Sequence, residues 1–551
     1  MKKLLAMLLA LTMVLSLAAC GGSTAKETEA ATPATPATEA AVIQSGDVQA
    51  EAVAMDTAAG SVTVAVDDDS FTIGPWGSAG AVRDWTETIL WAHLCYRPFT
   101  GASLEAGELE MVAAKSVTKV DDTTYDIEIH DNIVDNLGNK ITAADVVYSY
   151  DKLAELGYVS QISLYYDHSE ATGDYTLRLY LKAAPDGAIE EVLCRCSIAS
   201  QAWYEGASQD EIESNPATTG AYYVTGVETA SSITMTAKDN YWKAEDLATV
   251  ELQNAKEIII RCITEASMRS IALENNEVDM AEVSLTEVSR FDGNDAYTVS
   301  RYMNWMSQYL IFNTSENSPC QDVNVRKAIA YAFDSLSMLM GTGTDESIVS
   351  HDVAPNIGPD YVQAWDEESY FEMDLEKSAE YLAAAGYEPG ELTIRLLVTA
   401  QAPQGPYVAM QAMLEQAGIN LEICGYDRAV RQTYQNDPTQ WDIAEYSDSV
   451  ADYTTGFWSN LFGEENYEHG TQGFTEDPQL QALLQAAIAD RSEANMDAFH
   501  DYVVENCYMV GLYTETKCIV TDGGLTDICL QKLNPILNAM TFTDEYVPAG
   551  K

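Results

Sequence analysis

Apolar and polar residues alternate over Ser61 to Val66 (SVTVAV), the period-two pattern of a strand. A second alternation, Tyr125, Ile127 and Ile129, predicts another strand, followed by the turn sequence DNLGNK. Thr142 and Asp145 then open TAADVVYSYDKL in the manner of a capping box, and Val146, Tyr150 and Leu153 share one helical face. ATTGAYYVTGVETASSITMTAKDNYW reads as two strands around a polar turn, with Ile233 and Met235 on one face. In SMRSIALENNEVDMAEV a helix whose apolar positions are Met268, Ile271 and Ala272 gives way to a short strand around Val278 to Met280. From about residue 305 strands and helices alternate. Tyr309 to Phe312 is strand-like, and Asp322 caps a helix carrying Val325, Ile329 and Phe333. Asp374 caps another, with Leu375, Ala379 and Leu382 on its face and Gly386 as its stop. Strand LTIRLLV, a helix with Met410, Met413, Leu414 and Ala417 inward, the C-cap Gly418 and strand INLEIC complete the series. Such alternation with short Gly-terminated connections predicts an α/β lobe with a mostly parallel sheet.

The N-terminal pattern differs. Lys2 and Lys3 precede Leu4 to Ala19, sixteen residues without a charge. That is short for a bilayer span, which needs about 20 residues, and has the length of a signal h-region. Ala18 and Ala19 supply the small residues of a cleavage site before Cys20. An ordinary signal peptide with an incidental cysteine is one reading. The other is that LAAC, resembling the bacterial lipobox, makes residues 1–19 a lipoprotein signal and Cys20 the lipidated residue. The second is the expectation here, since two acyl chains anchor stably where one is marginal. Residues 20–60, rich in Ala, Thr, Glu and Pro (ATPATPATEA), offer too few large apolar side chains to offset ordering and are expected to be a disordered linker.

Charge narrows the partners. The 86 acidic residues outnumber the 29 Lys and Arg, for a net charge of −57. Such a balance disfavours nucleic acid and anionic membrane surface, so membrane contact is expected through the lipid only. No EF-hand loop is present, and Asp67-Asp68-Asp69 reads as a solvated loop. Nine cysteines follow Cys20 at scattered spacings; Cys194 and Cys196 come closest to a pair but match neither a redox nor a zinc motif. They are expected to be small buried hydrophobes. The nucleophile elbow, the H-E-x-x-H helix, the phosphate-binding loop and the dinucleotide fingerprint are all missing, and the six histidines show no ligand spacing. No enzymatic activity, metal site or cofactor is expected.

Several segments together resemble a known family. GNKITAADVVYSYDKL looks like the GxxxTAxDVVYS signature of the peptide/nickel-type (family 5) extracellular solute-binding proteins of ABC transporters. TTGAYYV is similar to their GTGPYxV turn, with Ala221 where proline is usual, and IALENNEVDMA to their ALxxGEVDIA, with Asn276 replacing glycine. YLIFNTSENSPCQDVNVRKAIAYAFD and DLEKSAEYLAAAGY resemble two further blocks in the family's order. The resemblance implies an α/β, periplasmic-binding-protein type II-like fold: two lobes joined by a two-strand hinge, with an extra subdomain on lobe I. Lobe I would hold 61–99, 201–304 and the return 511–551; the subdomain would fill 100–200, and lobe II 305–510. YMNWMSQYLIF and MVGLYTETK would be the crossings between lobes. The implied protein is a monomer on the extracellular face of the cell membrane, or periplasmic where an outer membrane exists. It would capture oligopeptides or dipeptides between its lobes and deliver them to ABC transporter permease subunits. A leash suits a receptor that must stay near its permease.

In the family's peptide binders a segment resembling GWxADYxxP carries an aspartate that pairs with the peptide's α-amino group. The counterpart here is YSDSVADYTTGFW, so the implied ligand residues are Asp452 and Tyr453. Ser449 and Gly456 depart from the motif, and Asp452 also reads as a turn or cap residue. Asp69, Phe71 and Trp76, after the first strand, are candidates at the lip of lobe I, with plain surface and core roles as the other reading. Tyr513, in the second crossing, is a cleft-wall candidate that also suits hinge packing. The altered motif keeps open a receptor of the same fold for oligosaccharide or chelated nickel. A lipoprotein hydrolase or adhesin has no motif in its favour.

Overall fold

The computed structural model describes residues 42–43, 59–67, 73–76, 81–100, 105–157, 159–350, 352–355, 359–367, 370–400, 402–449, 453–526, 535–544 and 546–550. One 11-stranded sheet runs through both lobes. On one side Ala59–Val66 lies parallel to Ala255–Cys262 and to Met280–Glu282, and the hairpin of Tyr222–Glu228 with Ser232–Ala237 extends the edge. On the other side Thr393–Thr399 lies parallel to Asn420–Tyr426 and Ile443–Ser449. Two long strands, Tyr297–Phe312 and Met509–Asp522, pair antiparallel with each other and join the halves. They contain the two segments expected to cross between lobes.

The mostly parallel arrangement expected of the second lobe is found in its three strands, while the sheet as a whole is mixed. Each lobe contributes a parallel trio, but the crossing strands pair antiparallel with Met280–Glu282 on one side and Ile443–Ser449 on the other. The trios follow from composition: a parallel strand is covered on both faces and reads as a run of buried apolar residues. Val62, Val64, Ile258 and Ile260 are all fully buried on the lobe I side, as are Ile394, Leu396, Leu397 and Val398 on the lobe II side.

Helix Ala143–Leu156 forms where its cap predicts. The Asp145 carboxylate accepts from Thr142 N–H and O–H, each at 2.8 Å, and its other oxygen accepts from Gln201 N–H at 2.9 Å. Gly157 ends the helix at φ +70°, and Val146, Tyr150 and Leu153 are buried. The Asp322 and Asp374 caps also hold, Asp322 accepting from Asn324 N–H and Asp374 from Glu376 and Lys377 N–H. Two faces differ from expectation. In helix Ala266–Glu274, Met268 and Ile271 are exposed, because the buried side is taken by Arg269, whose guanidinium donates to the carbonyls of Ile263, Thr264 and Glu282. In helix Leu375–Ala384, Ala379 faces solvent and Ser378 is buried, donating to the Ala328 carbonyl at 2.7 Å. Phe333 is buried but lies beyond the end of helix Val323–Ala330.

A separate antiparallel sheet, ordered Val42–Ile43, Ala114–Asp121, Thr124–Ile129, Thr176–Leu181, Tyr166–Ala171, forms the subdomain with helix Ala143–Leu156 against it. Its apolar side does not end within itself. Tyr150, Ile162 and Val192 belong to the same contiguous core as Phe457, Trp458 and Leu484 of lobe II. The subdomain therefore packs directly against lobe II, in a core that also takes in Tyr309, Ile311 and Met509 of the crossing strands. The described cysteines are free thiols, five of the eight buried, and burial raises Cys95 and Cys196 above their ordinary range. No described helix is long and apolar enough to cross a membrane.

Candidate functional site

Two places bring the lobes together. The first is the crossing itself. A register shift between Met303 and Ser307 locally breaks the ladder, and Ser307 and Thr514 close the gap through a hydroxyl pair at 2.9 Å. Beyond it, Tyr513, Glu515 and Lys517 follow at the spacing of two that puts side chains on one strand face. Gln308 Nε2 donates to Glu515 at 2.8 Å, and Lys517 Nζ donates to Glu282 at 2.6 Å. Burial raises the Glu515 carboxyl above its usual range; Lys517 opposes the shift, and Glu282 and Asp67 add to it. Tyr513, Tyr407, Glu445 and Arg431 gather on the lobe II side. Burial again raises Glu445, with the Tyr407 hydroxyl and Arg431 opposing and Glu515 adding. Arg431 donates to Gln435 at 2.7 Å and to the Glu445 carbonyl. The face thus carries two carboxyls that burial raises above their usual range, beside two cations already engaged.

The second place is a bridge from lobe II to the subdomain. Arg491, in the turn between helices Pro478–Ala489 and Glu493–Asn506, has a side chain only 4% exposed. Its guanidinium donates to Glu191 at 2.5 Å, the Asp186 carbonyl at 2.6 Å, the Tyr165 hydroxyl at 2.7 Å and Thr455 Oγ1 at 3.0 Å. It also lies 3.7 Å from the centroid of the Tyr453 ring, a cation–π distance. Asp360 sits 3.9 Å away and accepts from Thr454 and Thr455 N–H, the open first turn of helix Thr454–Phe462. Burial pushes the Tyr453 phenol up to about 12, against the pull of Arg491. On the opposite side Gly187 has φ +83°, and a Cβ there would lie 1.7 Å from the Tyr453 hydroxyl. Glycine is thus required at this contact on two counts.

Of the candidate residues, Tyr453 is in this bridge and Tyr513 is in the crossing, 9% exposed and near Glu445 and Glu515. Trp76 donates its indole N–H to the Ser197 carbonyl at 3.1 Å and packs edge-on to Tyr148, an anchoring position between lobe I and the subdomain. Cys20, Asp69, Phe71 and Asp452 lie outside the described residues. The residues missed from sequence divide by signal. Glu515 and Lys517 were within reach of the strand period that points to Tyr513. Arg491, Glu191 and Asp360 come from three distant segments and carry no local signature. Among the described residues, no group of three or more His, Cys, Asp or Glu side chains is placed to hold a metal ion.

Comparison with known proteins agrees with this architecture. The nickel-binding protein NikA of Staphylococcus aureus (strain NCTC 8325 / PS 47) is 23% identical over 366 residues, spanning 65% of this chain and 70% of that protein. The dipeptide-binding protein of Escherichia coli (strain K12) is 23% identical over 326 residues, spanning 55% of this chain and 59% of its own length. The oligopeptide-binding protein AppA of Bacillus subtilis, solved with a nonapeptide, superposes with a TM-score of 0.73 at 16% identity, covering 89% of this chain and all of that one (100%). NikZ of Campylobacter jejuni, solved with Ni(L-His), gives 0.72 at 17% identity, covering 87% and 99%. The fold is the two-lobed type II periplasmic-binding-protein fold. The profile of the bacterial extracellular solute-binding proteins, family 5 (middle region), matches residues 108–468, and the chain belongs to that family.

Proposed function

We propose that this protein is a receptor that captures oligopeptides or dipeptides between its lobes and delivers them to the permease subunits of an ABC importer. The observation that carries the reading is the crossing: two paired strands joining the lobes and presenting Tyr513, Glu515 and Lys517 on one face. Half-buried carboxylates there suit the cationic amine and the amide groups of a peptide. Asp452 is the proposed partner of the α-amino group, with Tyr453 beside it and Asp69, Phe71, Trp76 and Tyr513 as further contacts. The receptor works by binding and closure rather than by catalysis, with hinge motion following the ligand's preference for the closed state. It acts as a monomer outside the cell, held by a diacylglyceryl group on Cys20 and the linker of residues 20–60. Chelated nickel is the second reading, supported by the names of two relatives, NikA and NikZ.

A thermal-shift screen of residues 59–551 against pooled short peptides, oligosaccharides and nickel chelates tests this. A ligand at 100 times its Kd stabilises the bound form by about 2.7 kcal/mol. A shift with a peptide pool that Asp452→Ala abolishes is the expected result. A response to chelates alone would transfer the receptor to the second reading, and no response to any pool would refute it.

A further inference from the structure

We propose that Val42–Ile43 is a reversible strap: docked on the outer edge of the subdomain sheet, it pins the linker there and shortens the leash between Cys20 and the folded body. The inference rests on Cys20 as the anchor, and adds where the leash leaves the body and what sets its length. Val42–Ile43 pairs antiparallel with Ala114–Asp121, Val42 opposite Thr118 and Ile43 opposite Val117. Ala114–Asp121 has Thr124–Ile129 on its other side, so this pairing covers the sheet edge. The strand lies within residues 20–60, a stretch whose composition predicts no order.

Both partners suit a short contact. Between Gly21 and Gly60, Val42-Ile43 is the only place where two large β-branched apolar residues adjoin, and such residues favour strand. Pro33 and Pro36 precede it, and Gln44-Ser45-Gly46-Asp47, rich in turn formers, follows, so the sequence allows no long strand. On the sheet, register shifts between Ala114 and Ser116 and between Lys119 and Asp121 interrupt the edge strand near both ends. The regular stretch is Ser116 to Lys119, and the strap pairs with its two central residues. Lys115 and Lys119, on either side of them, are charges of the kind that discourage a longer or foreign strand. Two residues gain few backbone hydrogen bonds, and ordering them costs about as much, so docked and undocked forms coexist. The first strand of the body begins at Ala59. Undocked, the leash is therefore residues 21–58, with a root-mean-square span of about 34 Å; docked, it is residues 21–41, with a span of about 25 Å. Full extension falls from about 130 Å to about 70 Å. The strap thus exchanges reach for a higher effective concentration beside the permease.

The test uses the mature chain, residues 20–551 with Cys20→Ser, in two comparisons. In the first, Val42→Cys with Thr118→Cys and Val48→Cys with Thr118→Cys are oxidised with diamide, and peptide mapping by mass spectrometry follows each link. Directly opposite residues of an antiparallel pair have Cα atoms about 4.5–5.5 Å apart, within disulfide range, whereas Val48 lies beyond the paired register. The link from position 42 should form at least about tenfold faster. In the second, hydrogen exchange over residues 116–119 is compared with that of the double variant Val42→Pro/Ile43→Pro, which has no N–H to give the edge. Exchange should be slower by about two- to tenfold in the unsubstituted chain, equivalent to docking for about half to nine-tenths of the time. Equal linking rates, or equal exchange in the two chains, would refute the strap and leave the anchor standing. The anchor is tested apart, by palmitate labelling and membrane fractionation of the full chain against Cys20→Ser in a bacterium that processes lipoproteins. If the two behave alike there, the anchor reading falls and the shortened leash falls with it, whatever the exchange shows.

Discussion

Replacing Arg491 with methionine should be among the most damaging single changes outside the apolar core. The side chain is 4% exposed, and its main partners Glu191 and Asp360 are 2% and 3% exposed, so water cannot replace what the guanidinium supplies. Four acceptors lose a donor at once: Glu191, the Asp186 carbonyl, Tyr165 and Thr455. Removing one partner of a buried ion pair costs about 3–5 kcal/mol, chiefly because the charge left behind has nothing to face. Methionine fills much of the volume and keeps contact with the Tyr453 ring, so the loss reads the charge rather than a cavity. The assay is equilibrium urea denaturation by tryptophan fluorescence and far-UV circular dichroism, for Arg491→Met, Glu191→Gln and the double variant. With Glu191 already neutral, Arg491→Met should cost about 1–2 kcal/mol, which leaves a coupling of roughly 2 kcal/mol or more. Hydrogen exchange should place the loosening in helices Ser160–Tyr165, Ala188–Leu193 and Thr454–Phe462, which flank the bridge. A cost under about 1 kcal/mol, or additivity of the two single changes, would refute the argument that the guanidinium ties the subdomain to lobe II.

Three further outcomes follow from named contacts. Gly187→Ala should destabilise by about 2–4 kcal/mol through its positive φ and its collision with Tyr453, and by only about 1 kcal/mol in a Tyr453→Ala background; equal costs in both would show that the collision is relieved elsewhere. Asp145→Ala removes three hydrogen bonds that join the start of helix Ala143–Leu156 to Gln201, and should lower stability by about 1–3 kcal/mol by urea denaturation, with Asp145→Asn recovering part. Lys238 is buried, donates to the Thr218 carbonyl at 2.6 Å, and is pulled by burial from 10.5 to about 7, with Asp135 opposing. Between those values the unfolded chain binds the proton that the folded chain has released, so stability rises with pH across the window. Lys238→Met should therefore stabilise by an amount on the order of a few kcal/mol at pH 7, with an advantage that shrinks toward pH 10; a difference independent of pH would refute the burial argument.

What the sequence reveals of this fold is what local chemistry controls. Caps at Thr142–Asp145, Asp322 and Asp374, glycines at 386 and 418, and apolar runs such as LTIRLLV all give the elements they predict. The failures have a common cause in long-range hydrogen bonding. Met268 and Ile271 are the apolar residues of their helix, yet Arg269 takes the interior because three carbonyls outside the helix need a donor. The first crossing strand runs from Tyr297 to Phe312, but its own apolar pattern reads as strand only over Tyr309 to Phe312, and the family resemblance reaches back to Tyr302. YTVSRYMNWMSQ is stabilised by its partner Met509–Asp522 more than by that pattern. The same limit applies to the site. Period two connects Tyr513 to Glu515 and Lys517, whereas nothing near Arg491 announces that Tyr165, Asp186 and Glu191 will surround it.

The few cations of this acidic chain show how it spends its scarcest resource. Arg326 donates to carbonyls of Cys320, Gln321, Asn506 and Cys507, tying helix Val323–Ala330 to the end of helix Glu493–Asn506. Lys243 joins Glu251 to the Met111 carbonyl, Arg395 pairs with Asp442, and Lys517 reaches Glu282 from the crossing strand. In each case a buried or half-buried cation links segments far apart in sequence, a role that apolar packing cannot supply because it lacks direction.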